Sequence, residues 1–309
     1  MLIRLFTFLN IFTQIFILAS FSSAALVDVD VVPSVLKQGT AFCVSVSGPE
    51  RVLDAYCTFN GQKIPLFNGL VHGTVNGIGV IGREEALETG VLVVSGIDCG
   101  GDSFRKEMSL VIEKSRYEKI NLRVASAMAE PPSQVKKRIE DESALLKKIT
   151  GYVTDKKFVG SFERPVPGII TSPFGTLRIF NGKVASFHTG TDFRGRKGSA
   201  VSVIANGKVV LVKDLYYAGN TVVVDHGLGI YSLYAHLISA TVSENDFVSA
   251  GNEVGALGDT GRVTAPHLHF GVKIKGEYID GETLLSLPLV PVNRLAPLAM
   301  AGGGFSGNL

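Results

Sequence analysis

Tryptophan is absent from the 309 residues, and methionine and cysteine are scarce, with four and three copies. All three cysteines, Cys43, Cys57 and Cys99, lie in the first third of the chain, and their separations match no zinc-binding spacing. In an oxidising compartment one pair can form a disulfide, with three possible pairings left open; the alternative is that they are buried small apolar residues. The sequence therefore predicts no cysteine-ligated metal.

The chain also lacks a surplus of either charge. Its 30 basic residues nearly balance its 28 acidic residues, which gives a formal net charge of +2. Such a chain has no global field that would attract nucleic acid or a membrane surface. We expect no nucleic-acid partner.

Charged residues are missing from a long apolar stretch near the start of the chain. Residues 5–21 follow Arg4 and are followed by small residues at positions 22–25. This pattern is typical of a signal peptide, here residues 1–25, cleaved near Ala24 or Ala25, and the alternative is an uncleaved membrane anchor. The expected localisation is therefore exported, in the periplasm or cell envelope.

Glycine, in contrast, is abundant, with 35 copies, and it punctuates short runs rich in valine. Such runs predict a mainly β protein with tight turns. In residues 26–115 we expect an N-terminal immunoglobulin-like β-sandwich with strands near 27–32, 42–46, 91–94 and 108–112; between residues 61 and 90 the pattern does not define the strands. A protein partner of this domain is possible, but the sequence does not name one.

Residues 116–160 are expected to be a linker with a helix. Pro131 and Pro132 end the preceding segment, Ser133 offers a helix N-cap, and residues 134–149 place apolar side chains on one face. The helix is interpreted as a connector packed on one domain, or alternatively as a partner-binding helix. Residues 289–309 are expected to be a tail with little structure of its own.

Residues 161–288 show further strand patterns, near 169–171, 201–204, 208–212, 221–224, 230–235 and 267–274, and no helical period of useful length. Residues 225–229 are typical of a hairpin turn. We therefore expect a C-terminal domain of antiparallel β structure.

Four potential metal ligands stand in two short motifs of this domain. His267 and His269 are two residues apart, so in a strand they point to the same face. His188 and Asp192 are four apart and share a face in either strand or helix. Imidazole and carboxylate donors suit zinc.

A resemblance extends well beyond these two motifs. The region resembles the lysostaphin/LytM-type zinc metallopeptidases, which cut peptide bridges of bacterial peptidoglycan. It is carried by matching segments in the same order along the chain: 170–175, 181–182, 188–192, 205–209, 224–229, 234–237, 258–262 and 266–270. The resemblance implies that His188, Asp192 and His269 bind one zinc ion and that His236 and His267 are the two catalytic histidines.

We therefore expect a zinc metalloendopeptidase that acts on the peptides of peptidoglycan. The absence of a wall-targeting repeat favours the D-alanyl cross-link over a glycine bridge. The alternatives are a non-catalytic wall-binding or hydrolase-activating module, a latent enzyme that needs activation, and a peptidase that acts on ordinary protein. The first alternative predicts loss of a ligand or catalytic histidine, and none of the five residues is missing.

Overall fold

The computed structural model describes residues 27–48, 52–69, 73–86, 88–98, 100–123, 131–154, 162–182 and 184–289. The expected signal peptide, Cys99, His72 and all of the expected tail beyond Leu289 lie outside the described residues. Within the described part, no helix has the length and apolar character needed to cross a membrane.

Two β-sheets form the N-terminal part of the molecule. Their strands are β1 Asp28–Val32, β2 Leu36–Lys37, β3 Thr40–Ser47, β4 Leu53–Phe59, β5 Gln62–Ile64, β6 Leu66–Asn68, β7 Thr74–Ile81, β8 Thr89–Ile97 and β9 Ser103–Glu113. One sheet has the order β1-β3-β7-β6 and the other β2-β9-β8-β4-β5. The N-terminal part is therefore built of β-strands, as the mainly β prediction expected.

Alternating side chains of these strands fill the space between the two sheets. Phe42, Val44 and Leu92 belong to one buried cluster there. The sequence pattern did not define β2, β4, β5, β6 or β7. Strands β2, β5 and β6 are only two or three residues long, and polar residues interrupt the apolar alternation of β4 and β7.

Cys43 and Cys57 are both buried and free. Burial raises the pKa of the Cys43 thiol to about 11 and that of Cys57 to about 12. Of the roles left open by the sequence, these two cysteines therefore act as small buried apolar groups.

The segment after the sandwich contains a strand as well as the expected helix. Strand β10, Lys119–Leu122, pairs in parallel with the later strand β12, Leu177–Phe180. The sequence did not predict β10, because its partner lies far along the chain.

Helix α1 spans Ser133–Thr150, which agrees with the predicted helix. The predicted N-cap is wrong: Pro132 occupies that position without a side-chain cap, and Ser133 is already helical. Leu145, Leu146 and Ile149 pack against a buried patch of the C-terminal sheet. This packing agrees with the interpretation of the helix as a connector.

The C-terminal part is dominated by a ten-stranded sheet. The remaining strands are β11 Ile170–Ser172, β13 Val184–Phe187, β14 Thr191–Arg194, β15 Ala200–Ser202, β16 Gly207–Leu215, β17 Gly219–Asp225, β18 Ile230–Ala240, β19 Phe247–Val248, β20 Glu253–Leu257, β21 His267–Ile274 and β22 Glu277–Ile279. The main path is β11-β14-β21-β18-β17-β16-β19, and every pairing in this sheet is antiparallel. Strands β10, β12 and β13 form a separate small sheet next to the expected metal ligands.

Strand β21 has two chemically different faces. Leu268, Phe270 and Val272 lie in the main apolar core, so His267 and His269 face the opposite side. Helix α2, Gly281–Leu285, is the last element in the described part of the chain, and the Asp280 side chain caps its N-terminus. The sequence did not predict α2, because five residues are too few to show a helical period.

Candidate metal centre

Strand pairing brings the three expected metal ligands together. Asp192 on β14 lies directly opposite His269 on β21, and His188 immediately follows β13. Asp192 Oδ1 lies 2.9 Å from His188 Nε2 and 2.9 Å from His269 Nδ1, and the two nitrogens are 3.0 Å apart. One carboxylate oxygen and two imidazole nitrogens therefore converge on one point.

Hydrogen bonds behind these atoms fix their orientation. His188 Nδ1 lies 3.0 Å from the Pro173 carbonyl oxygen and 3.2 Å from Ser172 Oγ. An N–H at Nδ1 donates to that carbonyl and leaves the Nε2 lone pair free for a metal, the usual arrangement of histidine ligands. Arg178 Nη2 lies 2.8 Å from both Asp192 Oδ2 and Ser172 Oγ. It holds the carboxylate so that Oδ1 is directed inward.

The two other histidines stand beside this cluster. The ring centroid of His236 is 4.8 Å from that of His267 and 5.9 Å from that of His269. His236 Nδ1 lies 2.9 Å from the Thr260 carbonyl oxygen, and His267 Nδ1 lies 2.8 Å from that of Ala265. When Nδ1–H donates to these carbonyls, each ring presents its Nε2 as an acceptor. His267 Nε2 is 3.6 Å from Asp192 Oδ1, so it borders the same space.

The backbone of His236 is unusual. Its φ is 63°, although it lies in the middle of β18. The pairing of β18 shifts register on both sides of this residue, between Tyr234 and Leu237 and again after Leu237. A bulge of this kind redirects a side chain, and strained backbone is concentrated at functional sites. Here it points the imidazole of His236 toward His267.

The donor set fits zinc. His188, Asp192 and His269 supply three ligand atoms within 4.8 Å of one another, and two of the three residues are buried. In a tetrahedral zinc site with bonds of about 2.0–2.1 Å, ligand atoms are roughly 3.3 Å apart. The observed spacings of 2.9–3.0 Å are slightly shorter, so a small outward movement accommodates the ion. Three protein ligands also leave a fourth position open, as in catalytic zinc sites.

Comparison with known proteins identifies this region. The family profile described as peptidase family M23 matches residues 186–281, a segment that contains all five site residues. Residues 186–281 form a peptidase family M23 domain.

Relatives of the M23 domain have names that describe endopeptidases or an activator of a murein hydrolase. The chain is 40% identical over 93 residues to the peptidoglycan DD-endopeptidase ShyA of Vibrio cholerae, a match to 30% of this chain and 22% of ShyA. It is 33% identical over 130 residues to the DD-carboxypeptidase/endopeptidase Mpg of Neisseria meningitidis, a match to 42% of this chain and 30% of Mpg. The murein hydrolase activator NlpD of Escherichia coli is 29% identical over 123 residues, or 40% of this chain and 30% of NlpD. The matched region thus spans less than a third of each of these relatives.

A solved structure from Pseudomonas aeruginosa, named as an M23 peptidase, extends the likeness beyond the M23 domain. It superposes with a TM-score of 0.58 and covers 79% of this chain and 92% of that chain. Its identity is 23%, so it shows a shared fold only.

Burial and hydrogen bonding together set the protonation states of the M23 site. Burial would raise the pKa of Asp192, but hydrogen bonds with His188 and His269 outweigh it and hold the pKa well below its usual range. Burial, together with the charges of His269 and His267, lowers the pKa of His236 to about 3. Burial also lowers the pKa of His269. The carboxylate is therefore ionised and these imidazoles are neutral at pH 7, as metal ligation and proton acceptance require.

Sequence reasoning missed several residues that support the M23 site. Arg178 and Ser172 orient ligands, yet a single arginine or serine in a strand carries no distinguishing pattern. Gly190 is different, because its position between His188 and Asp192 was visible. A Cβ on Gly190 would lie 2.8 Å from the His269 ring and 2.4 Å from the Phe270 carbonyl oxygen. Only glycine fits this close approach.

Four other polar residues of the matching segments stand apart from the ligand cluster. His226 is fully buried between the Asn206 carbonyl oxygen at 2.8 Å and Ser232 Oγ at 2.7 Å. Asn181, with a φ of 50°, lies in the turn between β12 and β13. Asp225 accepts a hydrogen bond from the Gly227 amide, and Asp259 pairs with the exposed Lys197. These placements agree with structural or turn roles.

Proposed function

We propose that this protein is an exported, zinc-dependent endopeptidase that hydrolyses peptide cross-links of bacterial peptidoglycan. The observation that carries the proposal is the convergence of His188, Asp192 and His269 on one point, with His236 and His267 beside it. A structural zinc site would be closed by a fourth protein ligand, whereas here His236 and His267 border the open side.

Within this proposal His188 Nε2, Asp192 Oδ1 and His269 Nδ1 hold one zinc ion. When bound, zinc would polarise a water molecule and the carbonyl of the scissile peptide bond. The domain contains no glutamate in the arrangement used by the H-E-x-x-H peptidases, so a histidine has to accept the proton. His267 Nε2 lies nearest to the ligand carboxylate and is assigned as the base.

His236 is assigned the complementary role. After accepting a proton at Nε2, it donates that proton to the developing oxyanion or to the leaving amine. Its low pKa keeps the imidazole neutral at pH 7, so the ring is able to accept a proton and then donate it within one turnover.

The substrate part of the proposal rests on the relatives. ShyA and Mpg are named as endopeptidases, and ShyA specifically as a peptidoglycan DD-endopeptidase. We propose the same bond class, the D-alanyl cross-link, for this chain. Residues 1–25 would export it to the periplasm or cell envelope, where that substrate lies.

The test combines zinc content with product analysis. Wild-type protein loaded with zinc should release new amine ends from whole peptidoglycan, and fragment masses should identify the bond. His269→Ala should lose bound zinc and activity together. His267→Ala should retain zinc at wild-type stoichiometry and lose at least about a hundredfold in kcat.

A matched control is His226→Gln, because His226 is buried outside the site. This variant should keep both zinc and turnover as long as it is folded. Full zinc occupancy in His269→Ala would overturn the ligand assignment. Zinc binding by wild type without any cleavage would favour the second candidate, a hydrolase-activating module, which the likeness to NlpD supports.

A further inference from the structure

A cavity of about 880 Å³ lies between the sandwich, helix α1 and the M23 domain. The sandwich contributes Val80 and Arg83, and the helix contributes Leu146 and Lys147. At one end its wall includes the metal-ligand candidate His188. The cavity therefore adjoins the site, and the M23 domain lines it together with parts of the chain outside that domain.

Lys273 lies in the wall of this cavity and on the same strand as the site histidines. Along β21, residues 267, 269, 271 and 273 alternate with core residues, so Lys273 shares a face with His267 and His269. Four residues of extended strand separate the Cα atoms of His269 and Lys273 by about 13 Å. We call the cavity, defined by Lys273, Lys147 and Tyr278 together with the residues above, the lysine chamber.

The ammonium group of Lys273 has an unusual environment. Lys273 is only 6% exposed, and none of the salt bridges among the described residues includes it. Its Nζ lies 4.5 Å from the ring centroid of Tyr278, which supplies a cation–π contact. A buried charge without an ionic partner is costly, and burial lowers the pKa of Lys273.

Neighbouring charges act on Lys273 in opposite directions. The charge of Lys147 lowers the pKa of Lys273 further, whereas Glu277 raises it. The chamber wall also contains Lys275, which donates to the Lys63 carbonyl oxygen, and the acidic residues Glu84 and Glu85. Arg83 is already paired with Glu84. Three lysines that line the chamber, Lys147, Lys273 and Lys275, form no salt bridge within the described chain, and of these Lys275 is bound to a carbonyl oxygen, which leaves Lys147 and Lys273 to receive an anion.

We propose that the lysine chamber is a substrate subsite in which Lys273 and Lys147 bind a free carboxylate of the peptide being cleaved. This inference rests on the proposed function and names a chemical feature of its substrate. A carboxylate would neutralise two like charges that otherwise repel each other, and the ring of Tyr278 excludes water from one side of Lys273.

The position of the chamber fixes where that carboxylate stands in the substrate. An extended peptide lying along the histidine face of β21 covers about 3.3 Å per residue. The carboxylate should thus lie at most roughly four residues from the scissile bond, because the lysine side chain itself extends over part of that distance. Cross-linked peptides with free side-chain or α-carboxyl groups meet this requirement, whereas fully amidated peptides do not.

The test compares two substrates with two proteins. Zinc-loaded wild type and Lys273→Gln are assayed on soluble cross-linked peptide dimers from peptidoglycan, with free carboxylates or after carboxyl amidation. For wild type, amidation should raise KM roughly tenfold or more and leave kcat within about twofold. Lys273→Gln should show the same raised KM on the free-carboxylate dimer, and amidation should cause it no further loss. Lys213→Gln, which changes an exposed lysine of β16, is the matched control and should behave as wild type.

Equal KM values of wild type on the two dimers would overturn the proposal without relying on any variant. A KM increase in Lys273→Gln that is as large on the amidated dimer would also overturn it, because the lysine would then act through structure alone. If wild type cleaves neither dimer, the proposed function fails separately from the subsite. Calorimetry with uncross-linked stem peptide then decides: binding lost on amidation and in Lys273→Gln supports the subsite, and no binding to wild type overturns it.

Discussion

Arg178 links the hairpin β12–β13 to the metal-type site. Its guanidinium bridges Asp192 Oδ2 and Ser172 Oγ, each at 2.8 Å, and Ser172 in turn contacts His188 Nδ1. One side chain thereby orients two of the three ligand candidates. Partners of this kind tune metal affinity although they do not touch the ion.

Arg178→Met should therefore weaken zinc binding by roughly 10–100-fold. Without the guanidinium, Asp192 is free to rotate, and its second oxygen loses a charged hydrogen-bond donor. Zinc affinity measured by competition with a chromogenic chelator is the readout, and it needs no activity assay. Arg196→Met, which alters an exposed arginine after β14, should bind zinc as wild type does. Equal affinities of the two variants would refute the positioning role.

His226 makes the stability of the fold depend on pH. Burial lowers its pKa to about 4 from an ordinary value of 6.5. Between pH 6.5 and pH 4 the imidazole is protonated in the unfolded chain but neutral in the folded chain. The contribution of His226 to the free energy of unfolding is therefore fully present above pH 6.5 and declines as the pH falls toward 4. The contribution at stake is roughly 3 kcal/mol.

Urea unfolding of metal-free protein between pH 7 and pH 4 measures this effect. Wild type should lose more stability over that interval than His226→Gln, which keeps hydrogen-bonding atoms but cannot titrate. Metal-free protein is used so that zinc release adds nothing to the slope. Parallel pH profiles for the two proteins would contradict the assignment.

At the scale of single elements, helix α1 is joined to the M23 domain by both apolar and polar contacts. The helical period of the sequence predicted an apolar face on this helix. That face packs on Leu211, Val223, Tyr231 and Leu233 of the M23 sheet. Arg138 also forms a salt bridge with Asp214 at 3.0 Å, and Glu142 accepts a hydrogen bond from the Tyr216 amide at 2.8 Å. The helix is therefore part of the domain surface and not a free connector.

Ile149→Ala should reduce the free energy of unfolding by about 2 kcal/mol, at the low end for such changes because the residue is only partly buried. Alanine is a stronger helix former than isoleucine, so the loss would report packing and not helix propensity. Lys148→Ala, on the exposed side of the same turn, is the control and should change stability by less than about 0.5 kcal/mol. Chemical denaturation followed by circular dichroism measures both. Similar values for the two variants would show that the helix does not contribute through this face.

At the scale of the whole molecule, the sandwich and the M23 domain share buried surface. Ala41, Cys43 and Ile78 face away from the sandwich core and belong to the same buried cluster as Ile279 and Leu284. Two backbone groups cross the boundary as well: the Ala41 amide donates to Thr283 Oγ1 at 3.2 Å, and the Asp280 amide donates to the Gly39 carbonyl oxygen at 2.8 Å. Short helix α2 is the part that docks.

This shared core predicts that the two parts unfold together. Ile78→Ala should cost about 2–4 kcal/mol and lower the midpoint of one common transition. Tyrosine fluorescence and far-ultraviolet circular dichroism should give coincident curves for wild type and variant. Val91→Ala, at a residue that is 37% exposed, is the control with a small expected effect. Two separated transitions in wild type would show that the domains are thermodynamically independent.

The sequence by itself determined the mainly β class and the helix α1, and its resemblance to a known family singled out the five residues that the structure brings together. It could do so because alternation, helical period and short motifs are local, and local patterns survive without knowledge of contacts. His267 and His269 share a face through strand geometry alone, so their proximity needed no fold.

Only the tertiary structure decided the rest. The opposition of Asp192 and His269 depends on the pairing of β14 with β21, strands that are 77 residues apart at this contact. The bulge at His236, the reach of Arg178 to Asp192, the strand β10 and the chamber around Lys273 all arise where distant segments meet. Such contacts are set by sheet register and domain packing, which no single segment of the sequence encodes.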